Sequence, residues 1–154
     1  MQTSRYNHKK NKSLAGFTII ELLVVVSIIA VLASIVLVNV TGYINKGKNA
    51  AIRGNLATVV TNGSIFYDNN GTFDNFCANA YFTSPSAAIT SAGGTAACVE
   101  KGDNTAWCAC STMKVTVEEP LNSTFCVDST GYKKVTQNIG LCPTRCPAAG
   151  ACVD

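Results

Sequence analysis

A single carboxylate near the start of a long apolar run is the most chemically informative group in this chain. Glu21 follows the dipeptide Gly16-Phe17 at a short distance, and the segment 22–38 after it carries no charge. An ionised glutamate inside a membrane-spanning helix costs roughly 3 kcal/mol on insertion scales, so such a group predicts a function and a cationic partner. The natural partner is a new α-amino group at Phe17, which cleavage after Gly16 would release.

Eight cysteines are the second set of reactive side chains, and none lies before residue 77. An even number confined to the later part of the chain predicts a disulfide framework in an oxidising compartment. The count does not determine the pairing, which stays unassigned among Cys77, Cys98, Cys108, Cys110, Cys126, Cys142, Cys146 and Cys152.

Neither a metal nor a cofactor is expected. The pairs Cys108/Cys110 and Cys142/Cys146 are loosely compatible with zinc ligands, but an oxidising exterior favours disulfides, and the only histidine is His8. Five carboxylates lack the spacing of a calcium loop, and we interpret them as solvated surface groups: Asp68, Asp74, Glu100, Asp103 and Asp128.

Enzymatic activity and nucleic-acid binding are not expected either. The sequence after residue 16 contains no histidine, no Gly-x-Ser-x-Gly nucleophile motif and no phosphate-binding loop. Lys133 and Lys134 form only a small basic pair, which gives a weak electrostatic term for nucleic acid.

The basic charge is concentrated in the first 16 residues. The chain has 12 basic and 9 acidic residues, and four of the basic ones are Arg5, Lys9, Lys10 and Lys12. Without residues 1–16 the balance is 8 − 9 = −1. Basic residues beside an apolar helix stay on the cytoplasmic side, so the rest of the chain is expected outside the cytoplasm.

The apolar run and the residues after it predict one long helix over residues 17–68. Residues 17–40 are long enough to span a bilayer, and residues 41–68 are amphipathic. The apolar stripe of this second half consists of Ile44, Ile52, Leu56, Val59, Val60, Gly63 and Phe66. Asn69-Asn70-Gly71 predicts the helix end, and Gly42 and Gly47 are the points at which the helix would loosen most easily. A small head cannot cover so long a helix, so its first half is expected in lipid and then among copies of itself.

The remaining residues, 69–154, predict a disulfide-rich head. We expect an irregular connection over 69–104, tied down through Cys77 and Cys98, with Tyr81 and Phe82 as its hydrophobic contacts. Alternation of side chains over 107–117 predicts a strand whose Trp107 face, including Val115 and Val117, packs on the helix. Strands at 124–128 and 132–137 follow, and the cysteine-rich tail is expected along the sheet edge. The predicted fold is α+β, with a long N-terminal helix on an antiparallel sheet of about three strands.

The residues from the basic leader through Gly16-Phe17-Thr18 and Glu21 to the apolar run resemble the prepilin leader of type IV pilins and pseudopilins. The resemblance implies a leader of residues 1–16 that a prepilin peptidase removes, N-methylation of Phe17, and Glu21 as the assembly carboxylate. It also implies self-assembly into a helical homopolymer, with a membrane platform protein and an ATPase as partners. The precursor is expected in the cytoplasmic membrane and the filament at the cell surface. Many pilins carry a proline in this helix, whereas this sequence has none between residues 17 and 68.

Several alternatives stay open. Val31-Leu32-Ala33 offers a small-residue cleavage site typical of a secretory signal, and the apolar run also fits a plain signal anchor. The subunit of a pilus or pilus-like filament is the favoured interpretation. A pseudopilin of a type II secretion or competence (DNA-uptake) system is the alternative within the same family. A membrane-anchored, disulfide-rich binding module that does not polymerise is the alternative of another class.

Overall fold

The computed structural model describes residues 16–137, 142–146 and 150–153. The predicted basic leader, apart from Gly16, lies outside these residues, as do parts of the cysteine-rich tail. In chain order the elements are α1 (Ile19–Asn70), α2 (Ala80–Ser91), β1 (Ala96–Glu100), β2 (Trp107–Thr112), β3 (Thr124–Asp128), β4 (Lys133–Thr136) and α3 (Cys142–Arg145). The predicted α+β fold, a long N-terminal helix on an antiparallel sheet, is confirmed, although the sheet has four strands rather than three.

The chain divides into two compact units, residues 1–38 and residues 39–154. In the first unit, the described side chains of α1 from Ile19 to Val36 are all exposed. By length and composition, α1 is the one helix among the described residues that is long and apolar enough to cross a membrane.

The second unit, which we call the head, has its main core where the later turns of α1 meet the sheet. Ile52, Leu56 and Val59 are fully buried there, as the predicted stripe requires. Gly63 allows α1 to approach the Trp107 ring closely, because a Cβ at this residue would lie 2.7 Å from the ring. Ile44 departs from the predicted stripe, since its side chain is 51% exposed. The helix ends as predicted, at Asn70, with Gly71 at φ +69°.

The prediction of an irregular connection over 69–104 is wrong for two segments, α2 and β1. The segment is rich in Asn, Ala, Ser, Thr and Gly, which favours a loop, yet residues 80–91 form α2 and Pro85 lies inside it. A proline has no N–H for the carbonyl one turn earlier, which here belongs to Tyr81. The side chain of Asn62 on α1 donates to that Tyr81 carbonyl oxygen at 2.7 Å. A tertiary contact therefore replaces the hydrogen bond that the proline cannot make.

The four strands pair in sequence order, each antiparallel to the next. The predicted strand 124–128 coincides with β3, and Cys126 lies opposite Cys110 of β2. The prediction that β2 continues to Val117 is wrong, because the strand ends at Thr112. Val115 and Val117 are consequently exposed rather than packed on α1.

A second core lies on the sheet face opposite α1, and it consists largely of disulfides. Cys108, Cys110 and Cys126 are fully buried. The bonds are Cys77–Cys98, Cys108–Cys146, Cys110–Cys142 and Cys126–Cys152. Three of them attach the tail to β2 and β3, the two central strands. The tail therefore covers the face of the sheet and not its edge, which corrects the prediction.

Asp128 also holds the tail, and its predicted role as a solvated surface group is wrong. The residue is 2% exposed. One carboxylate oxygen accepts hydrogen bonds from Thr130 and from the Tyr132 N–H, and the other accepts from the Cys152 N–H at 3.0 Å. This carboxylate thus ties the β3–β4 turn and the end of the tail to one point.

The loop after β2 is fastened to α1 by a partly buried group that we call the polar clamp: Asn49, Arg53, Thr116 and Glu119. Glu119 is 5% exposed and accepts hydrogen bonds from Asn49 at 3.1 Å, from Thr116 at 2.5 Å and from Arg53. Burial opposes ionisation of the carboxyl. The hydrogen bonds from Thr116 and Asn49 and the charge of Arg53 outweigh it, so the pKa of Glu119 lies below its ordinary value of 4.5.

The contact between Asn62 and α2 can be tested by a double-mutant cycle. Asn62→Ala leaves the Tyr81 carbonyl unbonded and is expected to lower the free energy of unfolding by about 1–2 kcal/mol. In a Pro85→Ala background residue 85 supplies its own N–H, so the same change is expected to cost less than half as much. Denaturant unfolding of the full chain in detergent measures both costs. Equal costs in the two backgrounds would show that Asn62 does not compensate for the proline.

The polar clamp predicts a pH-dependent stability. Because the Glu119 pKa is lowered by folding, its contribution is present above the unfolded-state pKa and is lost as the pH falls through the folded-state pKa. Glu119→Gln is expected to destabilise the head by about 1–3 kcal/mol at pH 7, and the difference from the wild type should shrink below about pH 4.5.

Glu118→Gln is the matched control for this prediction. Glu118 pairs with Lys46 at 2.8 Å on the surface, with its side chain 64% exposed, so its removal is expected to cost less than about 1 kcal/mol. Denaturant unfolding over a pH series measures both variants. Equal losses for the two, or a Glu119 effect that does not change with pH, would contradict the role of the clamp.

Candidate functional site

The predicted processing site is an exposed segment that precedes the first helical turn. Gly16, Phe17 and Thr18 lie outside regular secondary structure, and α1 begins at Ile19. The Phe17 side chain is 78% exposed, and no atom lies within 4 Å of the position that a Cβ would take at Gly16. The peptide bond between Gly16 and Phe17 is therefore open to a peptidase that binds an extended chain.

Glu21 takes part in a helix cap with Thr18. Its Oε2 accepts from the Thr18 N–H at 2.9 Å and from the Thr18 hydroxyl at 2.8 Å. In return the Glu21 N–H donates to the Thr18 hydroxyl oxygen at 3.2 Å. This is a reciprocal capping box, in which a threonine before the helix and a glutamate three residues later satisfy each other's backbone N–H.

The sequence analysis missed the capping box, although the spacing Thr-x-x-Glu is its usual signal. The cap gives Glu21 a second physical reason for its position, in addition to the predicted cationic partner. Both side-chain bonds converge on Oε2, and none of the hydrogen bonds of the described residues falls on Oε1 of Glu21. The geometry thus leaves one carboxylate oxygen for a donor from outside the helix.

The other polar side chains in this part of α1 are satisfied inside the helix. The Ser27 hydroxyl donates to the Val24 carbonyl and the Ser34 hydroxyl to the Val31 carbonyl, both at 2.7 Å. Such bonds hide the hydroxyl from an apolar surrounding. Glu21 is therefore the only charged side chain between Phe17 and Val36, and its charge cannot be removed by the same local bonding.

Gly16 and Phe17 lie just before α1 and Glu21 lies in its first turn, whereas all eight cysteines belong to the head. The sulfur atoms of Cys108, Cys126 and Cys152 lie within 4.8 Å of one another, a spacing that a metal ion could use. Each of these sulfurs is bonded in a disulfide, however. A disulfide sulfur does not offer the thiolate that zinc requires.

The head also contains a cleft of about 470 Å³ beside the end of α1. Aromatic side chains and hydroxyl groups line it, and Asp68 is its only carboxylate. The lining includes no histidine, cysteine or lysine. This set offers a small binding surface but no nucleophile with a neighbouring base.

Comparison with known proteins gives one match, and it falls on the start of the chain. Residues 11–37 match the family described as the prokaryotic N-terminal methylation motif. The match covers less than a fifth of the sequence and includes Gly16, Phe17 and Glu21. Neither the curated proteins nor the solved structures give a match.

This motif implies a substrate of prepilin peptidase and a structural subunit, and together with the apolar helix it fits a membrane-anchored precursor. The chain carries the type IV pilin-type leader at residues 11–37, and this motif supports a type IV pilin-like or pseudopilin protein.

Proposed function

We propose that this chain is the structural subunit of a type IV pilus or a pilus-like filament, processed after Gly16 and assembled through the first half of α1. The proposal rests on two observations together. The chain carries the leader motif, and the exposed part of α1 from Ile19 to Val36 is apolar except for one carboxylate, Glu21, and two serines. A prepilin peptidase, a membrane platform protein and an ATPase are its proposed partners. The precursor resides in the cytoplasmic membrane, and the assembled filament lies at the cell surface.

Processing creates the charge that Glu21 needs. Hydrolysis of the Gly16–Phe17 peptide bond consumes one water and leaves a carboxylate on Gly16 and an ammonium group on Phe17. N-methylation keeps the Phe17 nitrogen a protonated amine. The Thr18 N–H survives the cleavage because it belongs to the next peptide bond, so the capping box persists in the mature subunit.

Assembly then pairs two copies. In the lipid-embedded subunit Oε2 of Glu21 is bonded to Thr18 of the same helix. As a subunit leaves the bilayer, Oε1 accepts the Phe17 ammonium group of a neighbour, which fixes the axial register of the two helices. An ion pair is far stronger in an apolar core than in water, and an unpaired charge there is strongly disfavoured.

The apolar surface of α1 supports the same conclusion. From Ile19 to Val36 its described side chains are exposed, including Ile19, Ile20 and Val31 at more than 60%. Burial of apolar area contributes about 25 cal/mol per Å², so this surface is stable only in lipid or against other apolar helices. A filament core made of many copies supplies the second environment.

The cleft beside α1 is the observation that favours the second candidate, a membrane-anchored binding module that does not polymerise. The two candidates differ in what happens to the leader. A filament subunit begins at N-methyl-Phe17, whereas a plain anchor retains Met1 and a secretory signal cut after Ala33 would leave Ser34 first. A pseudopilin shares the processing of a pilin and differs in the system that it serves.

The processing site predicts a defined mature mass. The wild-type subunit is expected to begin at N-methyl-Phe17, and Gly16→Leu is expected to keep the full leader because the peptidase requires a small residue before the cut. Gly54→Leu is the matched control, since Gly54 is an exposed glycine with no atom within 4 Å of its Cβ position. N-terminal sequencing and intact mass give the answer. A Gly16→Leu subunit that matures normally, or a wild-type subunit that starts elsewhere, would refute the processing site.

The charge of Glu21 and its capping role can be separated by two substitutions. Glutamine can replace glutamate in a capping box, so Glu21→Gln keeps the cap and removes only the charge, while Glu21→Ala removes both. We expect both variants to be processed normally and to lower the yield of sheared filaments at least tenfold, as measured by immunoblotting and electron microscopy. Wild-type filament levels in Glu21→Gln would mean that the cap, and not the charge, explains the glutamate.

A further inference from the structure

We propose that the cleft beside the end of α1 binds a neutral saccharide, with a pyranose ring lying on Tyr67 and a ring hydroxyl donating to Asp68. The cleft has a volume of about 470 Å³, and the residues that line it all belong to the head. Sites for small molecules usually have volumes of about 300–1,000 Å³. The inference concerns the head alone and does not depend on filament assembly.

The walls of the cleft are held in place by hydrogen bonds within the head. The end of α1 forms one wall, and the β1–β2 loop and the β3–β4 turn form the others. In the loop the Thr105 hydroxyl donates to Asp103 at 2.6 Å, and in the turn the Thr130 hydroxyl donates to Asp128 at 2.6 Å. A site whose walls are already ordered loses little entropy when a ligand binds.

Most of the polar groups that line the cleft are ready to accept hydrogen bonds. Thr105 and Thr130 already donate their hydroxyl hydrogens, and Ser64 donates to the Val60 carbonyl at 3.3 Å, so the three hydroxyl oxygens can only accept from a ligand. Asp68 is exposed and has no hydrogen-bond or ion-pair partner among the described residues. A ligand that suits this lining therefore brings hydrogen-bond donors.

The charge of the cleft argues against an anionic ligand. Its lining contains no lysine, arginine or histidine, and Asp68 is its only charged side chain. A phosphate or carboxylate group would meet no cation there and would be repelled by the Asp68 carboxylate. The donor-bearing ligand is therefore neutral or cationic.

The aromatic side chains favour a neutral ring over a cation. Tyr67 is 46% exposed and leans on Phe73, with the ring centroids 5.0 Å apart, so it offers one fixed and open surface. Phe73 and Trp107 are 8% and 1% exposed, because their rings pack in the core. Aromatic cages for quaternary ammonium groups surround the cation with several open ring faces. A pyranose needs only one, since its C–H groups form an apolar face and its hydroxyls project from the edge.

Saturation-transfer difference NMR tests the site directly. The probes are the methyl pyranosides of glucose, galactose, mannose and N-acetylglucosamine, and choline chloride represents the cationic class. The full chain is reconstituted in nanodiscs, because a glycoside detergent would compete for the cleft. We expect saturation transfer to the ring C–H protons of at least one glycoside and none to choline.

Two substitutions in the cleft locate the binding. Asp68→Asn keeps the shape of the side chain and breaks no bond within the described residues, and it is expected to weaken the affinity roughly fivefold or more. Tyr67→Ala is expected to abolish the transfer. The matched controls are Glu118→Gln and Tyr43→Ala, which change a carboxylate and a tyrosine that are 64% and 73% exposed and lie outside the cleft lining.

Three results would overturn the proposal. The first is the absence of transfer to every glycoside, and the second is equal binding by the cleft variants and their controls. The third is binding of choline without binding of a glycoside, since the cleft would then be a cation site. None of these results bears on the cleavage after Gly16 or on Glu21, so a failure here is distinct from a failure of the proposed filament function.

Discussion

The one charged side chain on the exposed apolar part of α1, Glu21, is the constraint on which the proposed function depends. Every other polar side chain in the first part of α1 is a serine whose hydroxyl bonds to its own helix. Glu21 cannot hide in this way, because Thr18 satisfies only one of its oxygens. We propose that the remaining oxygen accepts a cation, which cleavage before Phe17 would produce at the start of each copy. In this proposal anchoring, processing and assembly are linked, because the same few residues serve all three.

The head is built on a different physical basis. Two cores lie on opposite faces of one four-stranded sheet: an aromatic and aliphatic core against α1, and a disulfide core beneath the tail. A head of this size buries limited apolar area, and four disulfides in an oxidising exterior restrict its unfolded chain. The polar clamp and Asp128 fasten the loop after β2 and the tail to these cores through buried carboxylates. The sequence around Glu119 and Asp128 does not indicate a structural role for either residue. In the fold both carboxylates are buried and hold separate segments together.

Strong periodicity and capping signals in the sequence were sufficient to predict α1, its end at Asn70, β3 and the cysteine-bearing face of β2. The prediction failed where tertiary contacts override local preference. A segment rich in small polar residues indicates a loop, yet residues 80–91 form α2, where the amide of Asn62, distant in sequence, bonds the Tyr81 carbonyl that Pro85 cannot. Likewise nothing local distinguishes Glu119, which is buried and pairs with Arg53, from the exposed Glu118. The capping box of Thr18 and Glu21 follows from the spacing Thr-x-x-Glu and could have been predicted from the sequence. The disulfide pairing was not predictable, since it depends on the register of β2 and β3 and on the path of the tail.

The claim that the Glu21 carboxylate meets the freed amine of another copy is tested most directly by a high-resolution cryo-EM map of sheared filaments. The account predicts density for an N-methylated Phe17 as the first residue, with its nitrogen within about 4 Å of the Glu21 carboxylate of a neighbouring subunit. A map in which Glu21 contacts only its own helix, or in which the Phe17 nitrogen is still joined to Gly16, would contradict it.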